Sequence, residues 1–273
     1  SQLLYVSGNN QPGTAGNVLP EPLRVRVLDS ADNPVKHYDV QFSVTEGGGS
    51  FNGLQAAIYQ TDNQGYANAY WRLGDKVGSN AAIASVSGFD APPVSFTAQG
   101  VVGPPARLTK NGGDNQKGEA GQPLGQYFVV SVTDSFYNAV SNHPVTFRVT
   151  QGAGSINGRT EVTEYTNAFG QAQVLYTMGS SSYEQKVQAL AERNGTPLLD
   201  SPQTFTAYLG PGDPTTLGYI SGNNQIGRVN EELPDPFVVQ VQDDNGVGVP
   251  DIQVEFVTFT PGASFSGATS VKK

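Results

Sequence analysis

Ser7-Gly8-Asn9-Asn10-Gln11 returns as Gly112-Gly113-Asp114-Asn115-Gln116 and again as Ser221-Gly222-Asn223-Asn224-Gln225. From Asn10 to Asn115 is 105 residues, and from Asn115 to Asn224 is 109. Other landmarks keep the same step: Asp29, Asp134 and Asp243; Phe42, Phe147 and Phe256; Gly53, Gly158 and Gly267. Phe96 and Phe205 lie 109 apart, so four residues are inserted in the second repeat, between about Ser180 and Asp200. A period this long is domain-sized, not solenoid-sized.

Within each repeat the apolar residues alternate. Leu23-Arg24-Val25-Arg26-Val27, Val40-Gln41-Phe42-Ser43-Val44 and Val145-Thr146-Phe147-Arg148-Val149 have period two, which predicts strands with one face on a core. Val25, Val27, Val40, Phe42 and Val44 are the expected inward side chains of the first repeat. Turn signals separate the runs: Asp32-Asn33-Pro34, Glu46-Gly47-Gly48-Gly49 and Asp62-Asn63-Gln64-Gly65. Composition agrees: 33 Gly and 18 Pro supply many turns, and only 14% of residues are charged, too few for solvated helix faces. The expected fold class is all-β: tandem immunoglobulin-like β-sandwich domains arranged as a rod. The domains are expected at 1–102, 103–212 and 213–273. The third holds only the first half of the pattern. The Pro-containing linkers around Gly103-Pro104-Pro105 and Gly210-Pro211-Gly212 predict a semi-rigid chain of domains.

The balance of residues also excludes chemistries. A net charge of −9 repels a phosphate backbone, so nucleic acid is not an expected partner. With no cysteine there is no disulfide, thiolate zinc site or cysteine nucleophile. No apolar stretch is long enough to span a membrane as a helix. The phosphate-loop, zinc-protease and serine-elbow motifs are missing, and the acids are too scattered to nominate a glycosidase pair.

Together, the ordered motifs resemble the bacterial Ig-like domains of the invasin and intimin type, called Big-1. They are PLRVRVLDSADNPV (22–35), VQFSVTEGGGSFNG (40–53), TDNQGYANAYWRLG (61–74) and AAIASVSG (81–88) in the first repeat. The second has FVVSVTDSFYNAV (128–140), VTFRVTQGAGSING (145–158) and TNAFGQAQVLYTMG (166–179). The third has FVVQVQDDNGVGVP (237–250) and VEFVTFTPGASFSG (254–267). The resemblance implies a non-enzymatic stalk on the bacterial cell surface, extracellular, that holds an adhesive tip away from the cell. No lectin-like tip is recognisable in the sequence. Two other functions stay open: a filament subunit whose incomplete third domain takes strands from a neighbour, and an accessory module of a secreted enzyme. The expected partners are proteins: downstream domains of the same chain, neighbouring subunits or a cell-surface receptor.

Few residues qualify as sites. Asp29, Asp134 and Asp243 recur beside Asp32, Asp244, Asn33, Asn138 and Asn245. Carboxylates in a turn are hard ligands for calcium, but Asx turns bonding their own backbone account for them better. Hence no cofactor and no metal are expected, with these three as weak calcium candidates. The recurrent Ser-Gly-Asn-Asn-Gln element reads as a turn leading each domain in rather than a sugar site. His37 and His143 are out of register and read as turn residues. Trp71, the sole tryptophan, reads as packing, with Tyr176 in its place in the second repeat. Asn194-Gly195-Thr196 fits a glycosylation pattern but carries little weight in a bacterial protein. Phe237 is a core position left open in the half-domain. Val257 and Phe259 take the places of Ser43 and Thr45 on the outer face, so these three are the candidate partner-interface residues.

Overall fold

The computed structural model describes residues 1–244, 246 and 248–273, which form strands and turns without helix. The first repeat contains β1 (Gln2–Ser7), β2 (Gln11–Thr14), β3 (Leu23–Leu28), β4 (Asp39–Glu46), β5 (Ser50–Phe51), β6 (Ala56–Gln60), β7 (Tyr66–Ala69), β8 (Trp71–Arg72), β9 (Gly78–Val86) and β10 (Val94–Val101). They build one sheet in the order β1-β3-β7 and a second in the order β2-β10-β9-β4-β6, with β5 and β8 as a short ribbon. All pairs are antiparallel except β2 with β10. This is an immunoglobulin-like sandwich.

The alternation read in the sequence is the alternation of the pleat. Leu23, Val25, Val27, Val40 and Phe42 are buried, whereas Arg24 and Arg26 lie on the outer face. Val44 is half-buried, at a break in register between Val44 and Glu46. Phe42 sits at the centre of the core, with its ring 5.7 Å from Phe51, 5.7 Å from Tyr59 and 6.3 Å from Phe96. Trp71 is fully buried and stacks on Phe51 at 6.1 Å.

Ser7-Gly8-Asn9-Asn10-Gln11 is the place where the chain leaves one sheet and enters the other. Gly8 has φ 94°, and a β-carbon there would lie 2.4 Å from the carbonyl oxygen of Pro22, so only glycine fits. The Gln11 amide then clamps the crossing: Nε2 donates to the carbonyls of Gly8 and Glu21, and Oε1 accepts from the Glu21 N–H at 3.0 Å. Asn9 Oδ1 accepts the Thr97 N–H at 2.7 Å. Gln116 and Gln225 repeat the clamp on Gly113 and Gln126, and on Gly222 and Asp235. The motif therefore serves its own repeat's sheet crossing.

The second repeat has β11 (Arg107–Gly112), β12 (Gln116–Gly118), β13 (Phe128–Thr133), β14 (Pro144–Gln151), β15 (Ser155–Ile156), β16 (Glu161–Tyr165), β17 (Gln171–Val174), β18 (Tyr176–Thr177), β19 (Glu184–Leu190), β20 (Glu192–Arg193), β21 (Thr196–Pro197) and β22 (Gln203–Leu209). Its sheets, β11-β13-β17 and β12-β22-β19-β14-β16, copy the first repeat. The inserted residues form the β20–β21 hairpin, which turns at Asn194 (φ 53°) and Gly195 (φ 77°).

The third repeat has β23 (Thr216–Ser221) paired with β24 (Val238–Gln242), and β25 (Glu255–Val257) paired with β26 (Ser270–Lys272). These match β1 with β3 and β4 with β6. Among its described residues no apolar side chain is buried. Phe237 is 45% exposed, whereas Phe128 at the same register is 1% exposed. Leu217 is 59% exposed where Leu108 is fully buried.

Candidate functional site: the interdomain joints

The Asp134 and Asp243 turns lie where one repeat meets the next, and the Asp29 turn is their counterpart in the first repeat. In the first repeat Asp29 Oδ1 accepts the N–H of Ala31 at 2.8 Å and of Asn33 at 2.9 Å, and Asn33 Nδ2 reaches Oδ2 at 3.2 Å. The Asn33 and Ala31 bonds hold its carboxyl below the ordinary value. Asp134 builds the same turn with Phe136 and Asn138, each N–H at 2.9 Å from Oδ1. It is only 2% exposed. Its Oδ2 also accepts the N–H of Gly103, in the linker, at 2.9 Å. Burial pushes the Asp134 carboxyl up, but the donors on Asn138, Gly103 and Phe136 outweigh it and hold the group below its ordinary value. Asp243 Oδ2 takes the Gly212 N–H at 2.7 Å in the same way. Asn245 lies outside the described residues. The carboxylate oxygens of Asp29 and Asp134 thus face N–H donors, groups that repel a cation. Among the described residues no three His, Cys, Asp or Glu side chains gather in a metal-binding group.

Side chains from both repeats brace the first joint. Asn138 Nδ2 donates to the carbonyl of Asp75 at 2.8 Å, and its Oδ1 accepts the Val77 N–H at 3.2 Å. Lys76 Nζ donates to the carbonyl of Phe136 at 3.1 Å. The Arg72 guanidinium lies 5.6 Å from the Phe136 ring centroid, within cation–π range, and pairs with Asp75 at 2.6 Å. The Phe136 ring also covers Gly16 so closely that a β-carbon there would lie 2.2 Å from Cε2. Asn138 therefore does two jobs: it closes the Asp134 turn and ties it to the repeat before. The sequence marked Asp134 and Asn138 as turn residues but gave no sign of Arg72, Lys76 or Phe136. Their only signal is that each departs from its register mates: Thr177, Ser181 and Ala31 respectively.

The other singled-out residues fall elsewhere. His37 is exposed in its turn with φ 55°. His143 is half-buried, and burial lowers its pKa. Tyr176 takes the place of Trp71, with its hydroxyl donating to Gln185 Oε1 at 2.7 Å and its pKa raised by burial. Phe237 and Phe256 meet at the Phe265 ring, 6.4 and 6.2 Å away. Val257 and Phe259 do not join that cluster, and Phe259 is 93% exposed.

No protein-family model matches this sequence, and comparison with curated proteins gives no match. Solved structures similar to it include the adhesin FdeC of Escherichia coli, at 19% identity, covering 93% of this chain and 77% of that one with a TM-score of 0.46. Another is InvD of Yersinia pseudotuberculosis, at 14% identity, covering 91% and 71% with a TM-score of 0.40. A β-glycosidase of Bacteroides vulgatus matches at 12% identity over 76% of this chain and 24% of its own, with a TM-score of 0.31.

Proposed function

We propose that this chain is part of a non-enzymatic stalk of Big-1-type Ig-like domains on a bacterial cell surface, giving reach and rigidity. The domains are 1–102, 103–212 and the half-domain 213–273. The braced first joint carries this reading: a linker N–H on a buried carboxylate, an amide bridging both repeats and a guanidinium on an aromatic ring restrict how two sandwiches can swing. The motif resemblance supports the bacterial surface as its place, and proteins as its partners. Small-angle scattering of the chain tests it. The expected curve fits one fixed arrangement of residues 1–212; a curve that needs a freely jointed pair overturns the reading.

A second reading has its own observation. The open core of the third repeat, with Phe237, Leu217 and Phe256 incompletely covered, fits completion by strands from another subunit of a filament. Concentration-dependent assembly that protects Phe237 would favour it over the stalk.

A further inference from the structure

We propose that His143 is a pH-sensitive latch, which seats the β20–β21 hairpin of the second repeat at neutral pH and releases it in mild acid. The first repeat shows how the latch is built. Tyr38 stands just before β4, with its N–H on Thr61 Oγ1 at 2.8 Å. Its hydroxyl donates to the Ser87 carbonyl, which ties the start of β4 to the connection after β9. Phe89, in that connection, holds its ring 5.6 Å from the Tyr38 ring. His143 stands 105 residues further on, just before β14, with its N–H on Thr166 Oγ1 at 2.8 Å. Glu192 stands 105 residues after Ser87, and its backbone meets the His143 ring. An imidazole thus replaces a phenol in the same tie. A phenol keeps its proton up to about pH 10, whereas an imidazole changes charge near about pH 6.5.

The seat accepts the neutral ring. His143 is half-buried, and its Nε2 is buried without a partner among the described residues. Protonation puts an N–H on both ring nitrogens, so the charged form adds a donor that nothing meets. Burial lowers the His143 pKa, and the Glu192 carbonyl offsets this only in part. The titratable and charged groups on the elements beside it are Glu164 and Tyr165 on β16, and Glu192 and Arg193 on β20; none of their side chains offsets burial. With the folded value below the ordinary one, the contribution of the neutral ring is present above about pH 6.5 and is lost as pH falls through the folded value.

What the latch holds is the cover of β11. The Leu198 N–H donates to the Ala191 carbonyl at 2.9 Å, and Leu198 is buried. Leu199 donates its N–H to the Ala106 carbonyl at 2.9 Å and accepts that of Leu108 at 3.0 Å, and Asp200 pairs with Arg107. Acid therefore loosens a segment that closes one flank of the second repeat, and the Tyr38 tie of the first repeat does not respond.

The test follows the isotope-labelled chain by magnetic resonance from about pH 7.5 down to about pH 5, the range in which histidine changes charge. Imidazole resonances, assigned with His37→Gln, give the His143 titration. Amide hydrogen exchange, corrected for its intrinsic pH dependence, gives the protection of the hairpin. His143 is expected to titrate below the ordinary value. Protection of residues 191–200 should fall with the same midpoint, while the 87–93 connection and the rest of the second repeat stay unchanged. His143→Tyr, which copies the first repeat, should keep the hairpin protected throughout, and His143→Gln should remove the pH response. Hairpin protection that stays constant across the His143 titration overturns the proposal. So does a response that survives His143→Gln, a His143 midpoint at or above the ordinary value, or a loss of protection shared by the whole repeat.

Discussion

Gly103 donates its backbone N–H to the buried carboxylate of Asp134 at 2.9 Å, so a linker residue and a turn of the next sandwich share one hydrogen-bonding centre. Replacing Asp134 with alanine strands the N–H groups of Gly103, Phe136 and Asn138 together. Leaving buried donors unpaired costs about 1–3 kcal/mol each way such sites are measured. The second repeat of Asp134→Ala should melt earlier by a comparable amount, with scattering showing a looser first joint. An unchanged melt and an unchanged curve would remove Asp134 from the joint.

Acid should act through the same group. The Asp134 carboxyl is depressed when folded, so its contribution is present above the ordinary aspartate pKa and is lost as pH falls through the folded value. Loosening of the joint should begin only below about pH 4, the ordinary aspartate range. Loss between pH 5 and 7 would point to another group.

Arg72→Ala and Phe136→Ala remove the cation–π contact without touching either core. Such a contact is worth about 0.5–1 kcal/mol near a surface. Both variants should lower the melting temperatures of the first two repeats by no more than a few degrees, while the distance distribution between spin labels on these repeats broadens. The chain has no cysteine, so label pairs can be placed freely.

EDTA should leave the melts of the first two repeats nearly unchanged. The Asp29 and Asp134 oxygens face N–H donors in the turns. A fall of more than about 10 °C, beyond what ~1 kcal/mol produces in domains of this size, would return calcium to these turns.

One register position should give losses of very different size in different repeats. Phe42→Ala empties the centre of a closed core and should cost about 3–5 kcal/mol, read by Trp71 fluorescence. Phe256→Ala stands in an open half-sandwich and should cost far less. Residues 215–273 expressed alone should not melt cooperatively; a sharp two-state transition from that isolated monomer would show a self-sufficient domain.

The sandwich and its inward residues were legible because period two is a direct image of the pleat. Phe42, Phe147 and Phe256 keep register, and the 109-residue step from Phe96 to Phe205 places the four-residue insertion at its hairpin. The Ser-Gly-Asn-Asn-Gln element was found by recurrence and reads as a turn, yet its clamp is not legible in the sequence: Gln11 joins residues ten apart that meet only when the chain changes sheets. The bracing of the first joint was invisible for a related reason. Arg72 and Phe136 are 64 positions apart, and no local pattern encodes a contact between the poles of two separate sandwiches.

The parallel pairing of β2 with β10, Gln11 beside Ala98 through Thr14 beside Val101, decides how a complete repeat bears tension. The chain enters through β1 and β2 and leaves through β10. Pulling its ends apart slides these two strands past one another along their length, so all the cross-bonds between them are strained together. A hairpin loaded at its open end gives way one bond at a time. The second repeat has the same lock in β12 and β22, so two successive domains meet an axial load in shear.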